Sequence, residues 1–220
     1  MNFDLIVLKA KGNWQRGTAF VCGFLFLFLM ACSGTNYVVD PQISKAELSQ
    51  TLLTLADLPA GWSETPLDES EPSATIKFLC SEIERNYVVN GRSEFEFGGT
   101  GPFLTHQIYV YADEDAAQAA FASYQAAAGE CDTWSRELTD GSTIDWEVDD
   151  LKLDGIGTES FAIRSTSFNA PLYIRAQVDH AILRQGNAIM TVQYLGLGSG
   201  DLSVTATFQF AELSLEKLSK

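Results

Sequence analysis

The sequence predicts an α+β domain in which a single, mainly antiparallel sheet of about six strands packs against helices. Two observations predict this class. Segments that alternate apolar and polar residues follow one another through the second half of the chain, as in strands with one buried face. Segments with apolar residues at helical spacing stand before, between and after them. One face of such a sheet packs on helices, and the other face is left to be wetted or to form a cleft.

The first 31 residues have the parts of a secretion signal. Lys9, Lys11 and Arg16 precede an apolar run over residues 18–31, which is shorter than the roughly 20 residues that a helix needs to cross a membrane. The run ends in Leu29-Met30-Ala31-Cys32. This ending resembles the bacterial lipobox, in which the cysteine is acylated and becomes the mature N-terminus.

Two alternatives to this interpretation stay open at the level of the sequence. A plain signal peptide, or an uncleaved single anchor, would leave Cys32 incidental. The acidic Asp4 ahead of the basic residues also leaves open a translation start downstream of Met1. On the lipobox interpretation, residues 32–43 form a tether and the domain spans residues 44–220.

The chain is strongly acidic. Its 14 Lys and Arg against 29 Asp and Glu give a formal charge of −15, and removal of residues 1–31 leaves 11 basic and 28 acidic residues, a charge of −17. This charge argues against nucleic-acid binding, which needs a basic face. It also repels anionic lipid headgroups, so only a lipid anchor is expected to touch the membrane, with the domain on its extracytoplasmic side.

The cysteines fit an oxidising compartment. Cys22 lies in the signal and Cys32 would carry the lipid, which leaves Cys80 and Cys131 to form a disulfide. Neither of the two has a Cys or His at the spacing of metal ligands, so no metal site and no cofactor are expected. A reactive thiol is the alternative, but the only basic residue close to Cys131 in the sequence that could lower its pKa is Arg136.

The first elements of the domain are predicted from caps and composition. A capping box at residues 44–47 starts a helix that ends near Leu55. Residues 63–76, which are rich in Ser, Glu and Pro, are predicted to form a loop. A second short helix is predicted over residues 74–84, around Cys80.

A hairpin and a helix are predicted next. Residues 93–97 and 105–111 alternate in polarity on either side of a Gly-rich turn, which predicts an antiparallel hairpin. Asp113 is placed to cap an Ala-rich helix that runs to about Ala128 and turns an apolar stripe toward the sheet. This helix leaves Cys131 just beyond its end.

Four further strands and a final segment complete the prediction. The strands cover residues 143–151, 160–168, 172–184 and 188–195, separated by turn residues. In residues 202–218, β-branched residues favour a strand, whereas apolar residues at helical spacing favour a helix. We predict a helix.

The segment Leu52-Leu53-Thr54-Leu55-Ala56-Asp57-Leu58-Pro59-Ala60-Gly61-Trp62 resembles the opening of a group of actinobacterial cell-envelope lipoproteins. Those proteins are similar to the extracellular sensor domain of the PknH-type serine/threonine kinases. In that group an N-terminal helix ends in a Leu-Pro-Ala-Gly-Trp-like turn. The Asp-initiated helix and the Cys near a Trp over residues 113–134, and the Gly-rich residues 155–160 before a strand, are also similar to that group.

The resemblance spans roughly residues 44–218. It implies an α+β sandwich with a cleft that senses or binds a ligand without known chemistry. This chain differs from the kinase member of that group in two respects. The kinase member has two disulfides where this chain has cysteines for one, and this chain has no kinase domain, so a sensor of this kind must signal through a partner or only bind.

Large aromatic rings are the best candidates for a binding surface. On a wetted sheet face they would suit an apolar or glycan ligand. The alternative is that rings such as Trp62 and Trp146 anchor helices to the sheet. The candidate residues are Tyr109, Tyr111, Trp134, Trp146 and Tyr173.

Three other patterns point to simpler structural roles. Asp145, Glu147 and Asp149 share one strand face without the spacing of a calcium loop, which is typical of a solvated sheet surface. The Gly-rich residues 196–201 have an acid where a phosphate site needs positive potential, so they are predicted to form a turn. The two histidines, His106 and His180, lie within strands, and no Gly-x-Ser-x-Gly nucleophile motif is present.

These observations predict a lipid-anchored cell-envelope protein with a non-catalytic, ligand-binding or sensor-type domain. The expected partners are the membrane, through the anchor, and a small molecule, lipid, glycan or envelope protein. One alternative is a carboxylate-dependent hydrolase of envelope polymers, which would need two acids about 5–9.5 Å apart in a groove. Another is a structural accessory of a membrane complex, which would need an exposed apolar patch.

Overall fold

An eight-stranded antiparallel sheet runs through the domain, with helices on both of its faces. The structure is a computed structural model that describes residues 37–67, 75–137, 141–153, 155–169, 174–198 and 202–219. The predicted signal, Cys32 and the first residues of the tether lie outside the described residues. Tyr173 also lies outside them.

The elements follow one another as the sequence pattern indicated for an α+β chain. They are α1 Lys45–Leu48, β1 Trp62–Glu64, β2 Thr75–Phe78, β3 Ser81–Glu84, β4 Val89–Phe97, β5 Phe103–Val110, α2 Glu114–Gly129, β6 Thr133–Glu137, β7 Thr143–Leu151, β8 Glu159–Asn169, β9 Ile174–Gln185, β10 Ala188–Gly198 and α3 Val204–Leu218. The strand order of the large sheet is β1-β4-β5-β10-β9-β8-β7-β6, and β2 and β3 form a separate hairpin. The α+β class is confirmed, but the large sheet has eight strands rather than about six.

Two strands of the large sheet, β1 and β6, were not predicted, and they are its two edge strands. β1 has three residues and pairs only with β4, through Trp62 opposite Phe97. β6 pairs with β7 and exposes most of its side chains. The free edge of such a strand faces solvent, and its side chains need not alternate between apolar and polar. The sequence of an edge strand therefore predicts a strand less clearly than that of a central one.

The first helix is much shorter than predicted. The capping box at Ser44 and Glu47 forms, but α1 ends at Leu48 and the chain continues as a 3-10 helix over Ser49–Thr51. The Thr51 hydroxyl donates to the Leu48 carbonyl, a local bond that competes with further helix. The chain is then extended at Leu52.

The helix predicted around Cys80 is wrong. Residues 75–84 form the β2–β3 hairpin, in which Phe78 and Ile83 are buried. Leu79, in the turn, has a φ of 53°, a left-handed conformation that no helix accommodates. Cys80 follows it and forms the disulfide with Cys131, just beyond α2. The predicted pairing of these two cysteines is therefore present in the structure.

Each face of the sheet has its own core. On one face, α3 and the segment of residues 39–58 cover side chains such as Leu104, Met190 and Leu183. On the other face, α2 and the β2–β3 hairpin cover Tyr109, Ile189 and others. The face that was expected to be wetted is therefore covered over much of its area by α2, whose cap Asp113 accepts the Ala116 amide as predicted.

The described part of the chain enters the domain at the end of the sheet that carries the β9–β10 turn. The Val39 amide donates to the Asn187 side chain, whose own amide donates to the carbonyls of Val39 and Tyr111, all at 2.8–2.9 Å. Gly186 permits this approach, because a Cβ there would lie 2.1 Å from the Tyr37 carbonyl oxygen. The β4–β5 turn is at the opposite end of the sheet.

Candidate functional site

A cavity of about 810 Å³ opens on the α3 side of the sheet, at the end that carries the β4–β5 turn. Its walls come from three parts of the chain: the segment that leads into β1, the end of the sheet, and α3. Apolar side chains from all three parts make its floor and sides. They include Leu58, Trp62, Phe97, Tyr194, Phe210 and Leu213.

The segment that leads into β1 is fixed by its own hydrogen bonds. Thr54 donates its backbone amide to an Asp57 carboxylate oxygen at 2.8 Å, which caps a 3-10 helix over Leu55–Asp57. Gly61 has a φ of 105°, and a Cβ there would lie 2.6 Å from the Phe97 ring. Glycine at this position therefore lets the Phe97 ring close over the turn and places Trp62 on the cavity floor.

Three aromatic rings converge on Trp62. Its ring centroid lies 5.6 Å from that of Phe97, 6.4 Å from that of Tyr194 and 6.0 Å from that of Phe210. Tyr194 and Phe210 also contact each other edge to face, at 5.6 Å. Edge-to-face contacts of this kind hold rings in fixed orientations. The floor of the cavity is therefore a preformed aromatic surface.

The helix wall is anchored by a buried ion pair. Arg164 donates to both carboxylate oxygens of Asp179, at 2.6 and 2.8 Å, and Asp179 also accepts the Thr207 hydroxyl of α3 at 2.8 Å. Arg164 further donates to the Leu202 carbonyl at 3.0 Å, and the Leu202 amide donates to the Gln177 side chain at 2.8 Å. These bonds fix the start of α3 on the sheet.

His106, on β5, links the sheet to two other parts of the chain: the segment that leads into β1 and α3. Its ring is fully buried, its Nδ1 accepts the Leu53 amide at 3.2 Å, and its Nε2 lies 2.5 Å from Ser214 Oγ on α3. Burial lowers the pKa of His106 to about 3, with the positive charge of Lys217 as a second cause, so the ring is neutral. Because Nδ1 is the acceptor, Nε2 carries the proton and donates to Ser214. In this tautomer the ring cannot take a proton from the serine.

Carboxylates surround the mouth of the cavity. Asp57, Glu212 and Glu216 contribute to its lining, and Gln209 lies among them. Burial alone would raise the pKa of Asp57, but hydrogen bonds from Lys217 and Thr54 lower it overall. Lys217 Nζ lies 2.6 Å from Asp57 Oδ2.

Comparison with known proteins agrees with this architecture. A family model described as the PknH-like extracellular domain matches residues 88–207. The chain belongs to this family. The matched residues take in the strands from β4 to β10 and the start of α3, whereas the segment that leads into β1 lies outside the match.

A solved structure shares the fold of this PknH-like domain. The crystal structure of the extracellular domain of PknH from Mycobacterium tuberculosis matches with a TM-score of 0.59 and 12% sequence identity, over 80% of this chain and 97% of that chain. No curated protein matches the chain. Membership of the family places the domain on the extracytoplasmic side, and the described residues contain no helix that is long and apolar enough to cross a membrane.

The aromatic residues singled out from the sequence do not come together in the PknH-like domain. Tyr109 and Tyr111 are each only 2% exposed, beneath α2, and burial raises the pKa of both. Trp134 and Trp146 stack at 5.2 Å near the β6 edge, on the far side of the sheet order from Trp62. These described residues therefore form no common wetted face.

The cavity uses aromatic residues that the sequence did not single out as ligands. Trp62 was noted as an anchor, but Phe97, Tyr194 and Phe210 carried no separate signal. A usable signal lay in the Leu-Pro-Ala-Gly-Trp turn, where the glycine indicates close approach of another group. That signal could identify Trp62 but not its three partners, which come from β4, β10 and α3.

The acidic strand and the remaining histidine have no catalytic arrangement. Asp145, Glu147 and Asp149 are exposed on β7, and Asp145 accepts the Ser135 hydroxyl at 2.6 Å. The described residues contain no group of His, Cys, Asp and Glu that could hold a metal ion. His180 packs edge to face on Phe78, at 5.6 Å, and faces away from the cavity because residues two apart on β9, such as Ile182, belong to the α2 side.

Proposed function

We propose that this PknH-like domain is a non-catalytic, sensor-type module that binds an apolar small molecule in the cavity beside Trp62. The observation that carries the proposal is the preformed aromatic floor in a cavity of about 810 Å³. Ligand sites are typically concave, of about 300–1,000 Å³, and lined by apolar and aromatic side chains with a few polar groups. The cavity beside Trp62 has each of these properties.

The chemistry of the nearby polar groups supports a binding role rather than a hydrolytic one. The neutral His106 donates to Ser214, and both side chains are fully buried, so this pair supplies neither a base nor an accessible nucleophile. The carboxylates of β7 project from an exposed strand rather than into the cavity. Three acids do line the cavity, but Asp57 is paired with Lys217, and Glu212 and Glu216 are exposed. A carboxyl group that acts as a general acid is usually kept protonated by an apolar surround, which the two exposed glutamates lack.

We further propose that a lipid on Cys32 holds the domain at the outer face of the membrane. The support is the lipobox-like sequence after a basic segment and a short apolar run. Acyl chains on one cysteine would give lasting attachment, because each buried methylene contributes about 0.8 kcal/mol. A sensor held in this way would pass its signal to a partner protein.

Binding is tested with the full chain carrying Cys32→Ser, titrated with the uncharged fluorescent probe N-phenyl-1-naphthylamine. We expect saturable binding that Trp62→Ala weakens at least about tenfold, since the loss of a large buried aromatic contact costs more than 1.4 kcal/mol. Trp134→Ala, at the opposite edge of the sheet, is the matched control. If Trp62→Ala unfolds the chain by circular dichroism, Leu213→Gln on α3 takes its place. Equal binding by the cavity variant and the control would contradict the proposal.

The anchor is tested separately by metabolic labelling with a fatty acid. We expect label in the unaltered chain and none in Cys32→Ser. If the N-terminal segment is a plain signal peptide or an uncleaved anchor, both chains should carry equal label or none. This result does not depend on whether the cavity binds a ligand.

A further inference from the structure

We infer that the cavity selects an apolar ligand that carries a positive charge, such as an amine or a quaternary ammonium group on a hydrocarbon body. This inference rests on the proposed function, and it specifies the chemical class of the ligand. It stands on three features of the described residues: the charges at the mouth, the aromatic floor, and the pairing of Lys217 with the lining residue Asp57.

The mouth carries uncompensated negative charge. Glu212 and Glu216 lie one turn apart on α3, both are exposed, and both contribute to the lining. Neither forms an ion pair with another described residue. A positively charged ligand group would therefore find two carboxylates free to pair with it.

Lys217, the cation that pairs with a lining residue, is already occupied. Lys217 Nζ lies 2.6 Å from Asp57 Oδ2, and this pair joins α3 to the segment that leads into β1. Among the described residues that line the cavity, none is Lys or Arg. A carboxylate or sulfate headgroup would therefore meet like charge without a free cation to bind it.

The floor favours the same ligand class. The rings of Trp62, Tyr194 and Phe210 converge within 6.4 Å of one another, and the faces of such rings attract cations through their quadrupoles. Quaternary ammonium groups are commonly bound in aromatic cages. An acidic chain with a formal charge of −15 adds a field that draws cations toward the site.

The test compares two amphiphiles of equal chain length and opposite charge. Decyltrimethylammonium and decyl sulfate, each below its micelle concentration, are titrated against the full Cys32→Ser chain loaded with N-phenyl-1-naphthylamine. Displacement of the probe is counted only where it is absent in the Trp62→Ala variant, which restricts the measurement to the cavity beside Trp62. We expect the cation to displace the probe at a concentration about tenfold lower than the anion does, and high salt to shrink the difference.

Variants at the mouth identify the source of the preference. Glu212→Gln/Glu216→Gln is expected to remove most of the advantage of the cation, measured within the variant as the ratio of the concentrations at which the cation and the anion displace the probe. The matched control is Asp145→Asn/Glu147→Gln, which removes the same charge from the exposed β7 strand and should leave the preference intact.

The possible failures are distinguishable. Probe binding without preference for the cation, or an equal effect of both double variants, would overturn the charge inference and leave the proposed function standing. Failure of the probe and both amphiphiles to bind would overturn both.

Discussion

His106 lies 2.5 Å from Ser214, and this contact joins the middle of the sheet to the helix that walls the cavity. The same ring accepts a hydrogen bond from the Leu53 amide, so the two nitrogens of one buried imidazole contact both α3 and the segment that leads into β1. The bond from the Leu53 amide requires an unprotonated Nδ1, which places the proton of the neutral ring on Nε2. Protonation would turn Nδ1 from an acceptor into a donor, opposite another donor.

The stability of the domain should fall in acid because of this ring. The pKa of His106 is lowered to about 3 in the folded protein, against the ordinary 6.5, so the unfolded chain binds more protons between these pH values. Its contribution is therefore fully present above about pH 6.5 and is lost as the pH falls toward 3, with a slope that approaches about 1.4 kcal/mol per pH unit.

Urea unfolding at several pH values checks this expectation. His106→Gln should flatten the dependence of the unfolding free energy on pH and cost about 1–3 kcal/mol at neutral pH. His180→Gln is the comparison, since burial lowers the pKa of His180 to about 4 and its effect ends at a higher pH. Identical slopes for the unaltered chain and His106→Gln would contradict the assignment.

The disulfide should supply a large part of the stability of the α2 side. Cys80 and Cys131 are 51 positions apart, and closing a loop of this length contributes about 4 kcal/mol in the chain-entropy model. Cys80→Ser/Cys131→Ser should lower the free energy of unfolding by about 2–5 kcal/mol. The variant should not respond to reductant, whereas the unaltered chain should lose the same amount when reduced. An unaltered chain that ignores reductant would refute the expectation.

Gly61→Ala should destabilise the domain more than Gly98→Ala does. Both glycines have positive φ values, 105° and 63°, but only at Gly61 would a Cβ meet another group, the Phe97 ring at 2.6 Å. Gly98→Ala should cost about 1–2 kcal/mol, the backbone penalty alone. Gly61→Ala should add about 1–3 kcal/mol of overpacking. Equal unfolding free energies for the two variants would show that the ring yields without cost.

The buried ion pair should be far more sensitive than a surface pair. Arg164→Met leaves Asp179, which is fully buried, without its charge partner, and we expect a loss of about 3–5 kcal/mol. Arg92→Met breaks the more exposed pair with Glu94 and should cost less than about 1 kcal/mol. Arg164→Met/Asp179→Asn should recover part of the loss in chemical denaturation. No recovery would mean that the cost lies in packing rather than charge.

Periodic and capped elements were predictable from the sequence. β7 covers Thr143–Leu151 as its alternation indicates, and α2 starts after Asp113 because the carboxylate of that residue accepts the Ala116 amide. α3 also forms at the end of the chain, where helical spacing outweighed β-branched residues. In each case one local signal and one buried face point to the same element.

The remaining fold depends on contacts that the sequence does not reveal. β6 and the β2–β3 hairpin lie at edges or outside the large sheet, where local patterns are weak, and α1 stops at Leu48 because local hydrogen bonds compete with it. Alternation predicted the strand that carries Tyr109, and Tyr109 and Tyr111 both belong to the core on the α2 side. It could not show that α2 covers that face, since coverage depends on tertiary packing.

The same limit applies to the cavity. The Leu-Pro-Ala-Gly-Trp turn pointed to Trp62, but Phe97, Tyr194 and Phe210 reach it from positions 35 to 148 residues further along the chain. No local pattern encodes such a convergence.

The attachment of residues 37–39 at Asn187 has a mechanical consequence. Along β4, about eight residues or roughly 26 Å separate this attachment from Phe97 at the cavity mouth. A force applied to the chain at residue 37 would therefore load the hydrogen bonds of Asn187 first, at the end of the sheet opposite the β4–β5 turn.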